Sequence, residues 1–182
     1  MKNQLLHEIA VTAIVYRAPP EGAAPNQYAL TQRALSKRRF PGMWTVPGGR
    51  LETTDYTALP KNSDHYWYEV IEAALNREVR EELGIAICNV DYITSLATIH
   101  ADGQPSLVLS FMAQPSSSGD IRVIDAGETA AVRWCTFEDA LALLRSGLLI
   151  DGILEELMIV ESRLGGARRS WTEARRALAG LG

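Results

Sequence analysis

Cysteine is scarce in this chain. Cys88 and Cys135, its only two, stand 47 positions apart with no CxxC pair and no Cys or His at ligand spacing. That excludes a recognisable zinc site and a disulfide framework, and both read as plain buried thiols. No stretch of about eighteen uncharged apolar residues occurs, so a membrane-spanning helix is excluded. The opening MKNQLLHEIAVTAIVYR breaks its apolar run at His7 and Glu8 and offers no small-residue cleavage site, so no signal peptide is expected and the cytoplasm is the expected location. A glycine-rich loop ending in lysine is missing, which argues against a P-loop NTPase. Positive charge is not in excess: the net charge is −4, which excludes a whole-domain nucleic-acid footprint and makes nucleic acid an unlikely partner. Internal repeats and low-complexity runs are absent as well.

What is present is ordinary globular material, 182 residues with 47% hydrophobic and 22% charged side chains. That is enough for one domain with a real core. Two β-rich runs, Glu8–Arg17 and Gln27–Leu35, flank the Pro/Gly/Asn stretch APPEGAAPN, a surface loop. After Phe40-Pro41-Gly42 a short apolar piece, Met43–Val46, stops at Pro47-Gly48-Gly49. From about Tyr68 to Leu83 the residues Ile71, Leu75, Val79 and Leu83 recur every four positions, predicting an amphipathic helix closed by Gly84. Strands are expected at Ile85–Thr98 and Pro105–Gln114 around the turn Ala101–Gln104, with Ser116–Asp120 as a polar loop and further strands at Ile121–Ile124 and Ala130–Cys135. Thr136 with Asp139 three residues on predicts a helix start, Gly147 its end, and Leu149–Leu164 another helix. The element order is α+β.

Charge is split along the chain. Residues 163–182 carry five Arg and one Glu, a local +4, whereas residues 1–162 sum to −8. Trp171, Ala174, Leu178 and Leu181 fall on one helical side with arginines opposite. We therefore expect a single domain over residues 1–164 and a basic helical extension over 165–182, packed on the domain or at the interface of a homodimer.

The strongest anomaly is Arg77-Glu78-Val79-Arg80-Glu81-Glu82-Leu83-Gly84. Glu78, Glu81 and Glu82 lie at i, i+3 and i+4, so like charges become neighbours in the last turn of a helix, where the dipole favours cations. At 100° per residue Glu82 falls between Ile71 and Leu75, inside the apolar stripe, where an unpaired charge is costly. Arg77 and Arg80 offer one source of compensation and a hard divalent cation another, since magnesium is held by carboxylates, substrate phosphates and water.

Taken together, Gly48-Gly49-Arg50-Leu51-Glu52, Glu69, Arg77-Glu78, Glu81-Glu82 and Gly84-Ile85 resemble the box of the Nudix hydrolases. That box runs glycine, five residues, Glu, seven residues, Arg-Glu, an apolar residue, any residue, Glu-Glu, any residue, Gly and an apolar residue. The second half matches throughout. Nineteen residues, not five, separate Gly49 from Glu69, so a fourteen-residue insertion, roughly Thr53–Trp67, is expected in the loop before the helix. Asp55, with five residues between it and Gly49, competes for the first acidic position; Glu69 is preferred because helix geometry sets its spacing to Arg77. The resemblance covers about Ile9 to Leu144 and implies an α/β/α sandwich around a mixed central sheet, with the box as loop, helix, loop.

It further implies hydrolysis of a diphosphate linkage in a nucleoside diphosphate derivative, with Mg²⁺ or Mn²⁺ as cofactor and a small-molecule nucleotide as partner. The metal ligands would be Glu78, Glu81, Glu82, the Gly48 carbonyl and Glu128, with the base left open among Glu78, Glu81 and Glu128. Arg77 would fix a box carboxylate, with Glu69 and Glu52 behind it. Arg33 would grip phosphate and Gly49 would admit it closely, while Trp44, Trp67, Tyr68 and Phe40 are candidates for stacking a nucleobase. His100 reads as structural. A proline about fifteen residues past the box marks many ADP-ribose members, but Pro105 comes twenty after Ile85. Marks for dinucleoside polyphosphates and coenzyme A are also missing. A nucleoside triphosphate, intact or oxidised, is then the first choice, with a nucleotide sugar or ADP-ribose behind it. The rival from another class is a Nudix-fold regulator that binds nucleotide or nucleic acid without hydrolysis, through Arg168, Arg169, Arg175 and Arg176.

Overall fold

The computed structural model describes residues 6–19, 24–117 and 119–180. Strand β1 (Glu8–Arg17) is the centre of the sheet. Along its length it pairs in parallel with β6 (Pro105–Pro115), Glu8 facing Ser106 through Val15 facing Ala113. Its other edge is divided. Ala10–Thr12 pair antiparallel with β4 (Gly48–Arg50), and Tyr16–Arg17 pair antiparallel with β2 (Gln27–Arg33). Beyond β2 lie β3 (Trp44–Thr45) and β7 (Thr129–Cys135); beyond β6 lies β5 (Ile87–Ile99), joined to it by the expected hairpin. A strand enclosed on both edges must be covered on both faces, and alternation along β1 does this. Val11, Ala13 and Val15 point to one layer, Ile14 and Tyr16 to the other.

The first layer is α2 (Val70–Leu83), which buries Ala74, Leu75, Val79 and Leu83 against the sheet. It ends where expected: Gly84 takes φ +73°, a left-handed turn that a side chain would disfavour, and its amide bonds the Arg80 carbonyl. The second layer is α3 (Phe137–Arg145), α4 (Ile153–Leu164) and α5 (Trp171–Ala179), gathered over Tyr28, Leu30 and Trp44. Helices on both faces of a mixed sheet make the anticipated sandwich. The Thr136–Asp139 capping box opens α3 as its sequence predicts, and a second box, Ser170 with Glu173, opens α5. Ala174 of α5 is fully buried and Leu178 packs on the same core; Leu181 lies outside the described residues.

Several local expectations are corrected. Residues 121–124 form no strand, because the Arg122 amide bonds the terminal carbonyl of Leu83 and leaves no ladder to join. The last long helix begins at Ile153, not Leu149: Leu148 and Ile150 are tied through their main chains to Trp44, so the chain there extends the sheet before it can coil. Cys88 is exposed on the edge strand β5, whereas Cys135 is buried. A short helix, α1 (Thr54–Thr57), falls inside the stretch read as an insertion.

The first turn of α4 buries two acids. Glu155 is paired with Arg175 of α5, and Glu156 accepts a hydrogen bond at 3.0 Å from Ser110, whose oxygen in turn accepts one from Thr12 at 2.9 Å. The second Glu156 oxygen is buried without a partner. Burial, with Glu155 beside it, pushes the Glu156 carboxyl up to about 7 from an ordinary 4.5, against the opposing Ser110 bond. A raised carboxyl binds its proton more tightly in the fold than in the unfolded chain, so stability is full below the ordinary value and is lost as pH rises towards 7. Glu156→Gln is therefore expected to stabilise the protein at pH 8 by about 2–3 kcal/mol. In urea denaturation the two proteins should coincide at pH 4; a gain of equal size at both pH values would show that the carboxyl does not titrate as described.

Candidate active site

The Gly48-Gly49 strand lies against β1 on one side and α2 on the other. A Cβ on Gly49 would sit 2.2 Å from the Glu78 carboxylate, and one on Gly48 would sit 2.3 Å from the Val11 carbonyl. The pair of glycines is thus what lets strand and helix approach closely enough for a helix carboxylate to rest on main chain. Glu78 and Glu82 of α2 meet this turn, Glu81 stands outside it, and the three carboxylates are in different states. Glu78 is largely buried, Glu81 is 60% exposed, and one oxygen of Glu82 is buried with no partner.

Arg77 organises two of them. Its guanidinium reaches Glu78 at 2.8 Å and Glu81 at 3.1 Å, donates to the Arg50 carbonyl at 3.0 Å, and grips both oxygens of Asp55 at 2.5 and 3.2 Å. The Asp55 side chain is only 1% exposed. Burial alone would raise it, but the Arg77 hydrogen bonds and the Glu52 amide outweigh that and hold it below the ordinary carboxylate range. Arg77 is itself raised, first by Asp55. Glu78 stays above its usual value because burial exceeds the help from Arg77.

Glu82 receives less compensation. Burial first, and then the charge of Glu78, push it up to about 8; the Thr31 hydroxyl, the Arg33 guanidinium and the Gly48 amide pull the other way. Gly48 therefore faces this carboxylate with its N–H, in addition to any use of its carbonyl. Among the described residues no three acidic, His or Cys side chains are already gathered as a metal cage. Their chemistry nevertheless fits a hard divalent cation: all-oxygen donors, an unpaired buried carboxylate oxygen, and a glycine cradle that a Cβ would fill.

Four sequence-based assignments change. Glu69 does not support Arg77; it stands exposed at the N-cap of α2 with φ +60° and no capping bond, while Asp55 takes that place. Counted to Asp55, five residues follow Gly49 and twenty-one precede Arg77. Glu52 contributes its backbone amide to Asp55 at 2.8 Å, and its own side chain is exposed. Trp44 is buried in the second core beneath Arg133, so its ring is unavailable to a base. Glu128 is exposed and paired with Lys37, and among the described residues no contact joins its side chain to the site, although its carbonyl accepts from Ala34, one residue beyond Arg33. The signal that could have found Asp55 was its five-residue spacing from Gly49.

Asp55→Ala is expected to strand Arg77 and cost about 3 kcal/mol in urea denaturation, as breaking a buried ion pair does. Glu69→Gln should stay within about 0.5 kcal/mol of wild type. The reverse ranking would return the first acidic position to Glu69.

The model of the NUDIX domain matches residues 6–150. Escherichia coli proteins named NAD-capped RNA hydrolase NudC are 37% identical over 93 residues, which is 48% of this chain and 32% of theirs, so the match spans about a third of those relatives. The NUDIX domain of Shewanella oneidensis NrtR, solved with ADP ribose, superposes with a TM-score of 0.66 at 19% identity over 90% of this chain and 92% of that one. A NUDIX hydrolase from Alicyclobacillus acidocaldarius gives 0.68 at 16% over 85% and 91%. The two structural likenesses show the shared fold.

Proposed function

The chain belongs to the Nudix family, and from that premise we propose that it is a divalent-metal-dependent pyrophosphohydrolase cleaving the diphosphate linkage of a nucleoside diphosphate derivative. The observation that carries the reading is Glu82: a carboxylate placed in the apolar stripe of α2, with one oxygen buried and unpaired beside two further acids. A structural role is better served by an uncharged residue, whereas metal binding needs that oxygen. Glu78, Glu81 and Glu82, with the Gly48 main chain, would hold magnesium or manganese, which when bound neutralises phosphate oxygens and lowers the pKa of water. Arg77 fixes the rotamer of Glu78, and Asp55 fixes Arg77. Arg33, close enough to act on Glu82, faces the same place with a charge suited to phosphate. Glu128 would join the site only by leaving Lys37.

For the leaving group, the missing subfamily marks favour a nucleoside triphosphate. A second reading, a dinucleotide diphosphate of the NAD type, is favoured by the name of the 37% identical relatives. A nucleotide sugar or ADP-ribose remains the alternative sugar-linked form. A homodimer and cytoplasmic residence are compatible with this activity and belong to the same proposal; no helix among the described residues is long and apolar enough to cross a membrane. The retained acids speak against a purely nucleotide-sensing or DNA-binding regulator.

The test is a product-release screen over nucleoside triphosphates, NAD-type dinucleotides, nucleotide sugars, ADP-ribose and dinucleoside polyphosphates, with and without Mg²⁺ or Mn²⁺. Glu82→Gln should lose turnover by at least about a hundredfold. The same variant should be more heat-stable than wild type without metal, yet lose the rise in melting temperature that metal gives the wild type. Near-normal rates in Glu82→Gln, or salt-sensitive DNA binding with no turnover of any nucleotide, would replace this reading with the regulator.

A further inference from the structure

The phosphates of the proposed substrate have a place, but its base does not. Of the aromatic candidates, Trp44 is buried, and Trp67 packs on Tyr56 at 5.5 Å with Lys61 over its ring. Phe40 differs. It is 50% exposed although it is a large apolar residue, and its backbone is held at φ +53°, in the left-handed region. Such a conformation is unfavourable for a residue with a side chain and persists where the surroundings impose it. Here the Gly42 amide bonds the Arg33 carbonyl at 3.1 Å and the Met43 amide bonds the Phe40 carbonyl at 3.3 Å.

Phe40 lines a cavity of about 240 Å³ between loop 34–43 and hairpin 100–104, together with Arg38, Arg39, His100, Ala101 and Asp102. The polar wall of this cavity is already tied together. Asp102 pairs with Arg38 and, at 3.0 Å, with Arg39; Arg39 also reaches Glu8 at 3.5 Å. Glu8 accepts from Ser106 at 3.3 Å, and the Ser106 hydroxyl is 3.0 Å from His100 Nε2. With those charges paired, what faces an entering group is an aromatic ring beside flat guanidinium planes. That combination suits a planar π-system better than a bare anion.

The cavity also adjoins the phosphate end of the site. Arg33, which acts on Glu82, donates from Nε to the Arg39 carbonyl at 2.8 Å. Arg50, next to the Gly49 cradle, pairs with the same Glu8 at 3.4 Å. One side chain thus separates Glu82 from the cavity wall on one path, and two ion pairs, Arg50–Glu8 and Glu8–Arg39, link the glycine cradle to that wall on the other.

We propose that this cavity receives the nucleobase of the substrate, stacked on Phe40 and bordered by the Arg38 guanidinium. The inference rests on the nucleotide reading of the site and adds where the nucleoside is recognised. Stacking accepts any base, so the pocket selects nucleosides over baseless phosphates without choosing strongly among bases.

Equilibrium binding in EDTA separates this from catalysis. Adenosine and guanosine monophosphates are titrated by calorimetry into wild type, Phe40→Ala and Phe40→Trp, with inorganic tripolyphosphate as the baseless probe. Phe40→Ala should weaken both nucleotides about tenfold, Phe40→Trp should retain them, and tripolyphosphate should bind all three proteins alike. In the wild type, adenosine monophosphate should shift the Phe40 ring resonances, a readout that does not depend on how the variants fold. Unshifted ring resonances, equal nucleotide binding by Phe40→Ala, or no nucleotide binding by wild type would overturn the proposal. Phe40-dependent binding without hydrolysis of any substrate would sink the pyrophosphohydrolase reading and leave this pocket standing.

Discussion

The guanidinium of Arg77 touches Asp55, Glu78, Glu81 and the Arg50 carbonyl, and so joins the turn after the glycines, the short helix α1 and the last turns of α2. Acidic side chains crowded at the negative end of a helix dipole repel one another and the helix. One planar cation with donors on several sides relieves part of this, and a point charge on a flexible stem would not make the same set of bonds. Compensation stops at Glu82, which Arg77 does not reach. The site is therefore divided between a permanently neutralised half that sets geometry and a half whose charge is balanced only by partial donors from Thr31, Gly48 and Arg33.

The sheet places these halves. β1 is shared between the layers: Val11 packs towards α2, while Thr12, one residue on, begins the polar track through Ser110 to Glu156 on the opposite face. Each layer thus buries one carboxylate oxygen without a partner, Glu82 on one side and Glu156 on the other. Their settings differ. Glu82 is acted on by a second acid, Glu78, and by the Gly48 amide, whereas Glu156 has the Ser110 hydroxyl and the neighbouring Glu155. The same burial physics raises both.

Most of the frame was legible in the sequence because it rests on local rules. The four-residue recurrence from Ile71 to Leu83, the glycine at 84 and the Thr136–Asp139 cap each specify their own geometry, and each appears as read. Glu82 was likewise placed by its angle on the helix. The failures share a different cause, namely contacts with distant chain. Whether Asp55 or Glu69 meets Arg77 depends on how the intervening loop folds back, and spacing along a helix carries no information about that. Trp44 was assigned by its aromaticity, but its main chain is stitched to Leu148 and Ile150, more than a hundred positions away, which fixes its ring in the core. Residues 121–124 have strand composition and yet give their amide to the end of α2.

The loop over residues 58–69 leaves α1 just after Asp55 and enters α2 ahead of Arg77, so a single ion pair closes the stretch that contains it. A segment pinned at its base in this way transmits little of its own shape to the rest of the molecule, and lengthening it adds closure entropy only logarithmically. Evolution can therefore rewrite that stretch as an ornament, a lid or a handle for another macromolecule while the chemistry beneath it stays in register. Diversity among close kin of this chain should gather there, as growth rings gather outside a fixed pith.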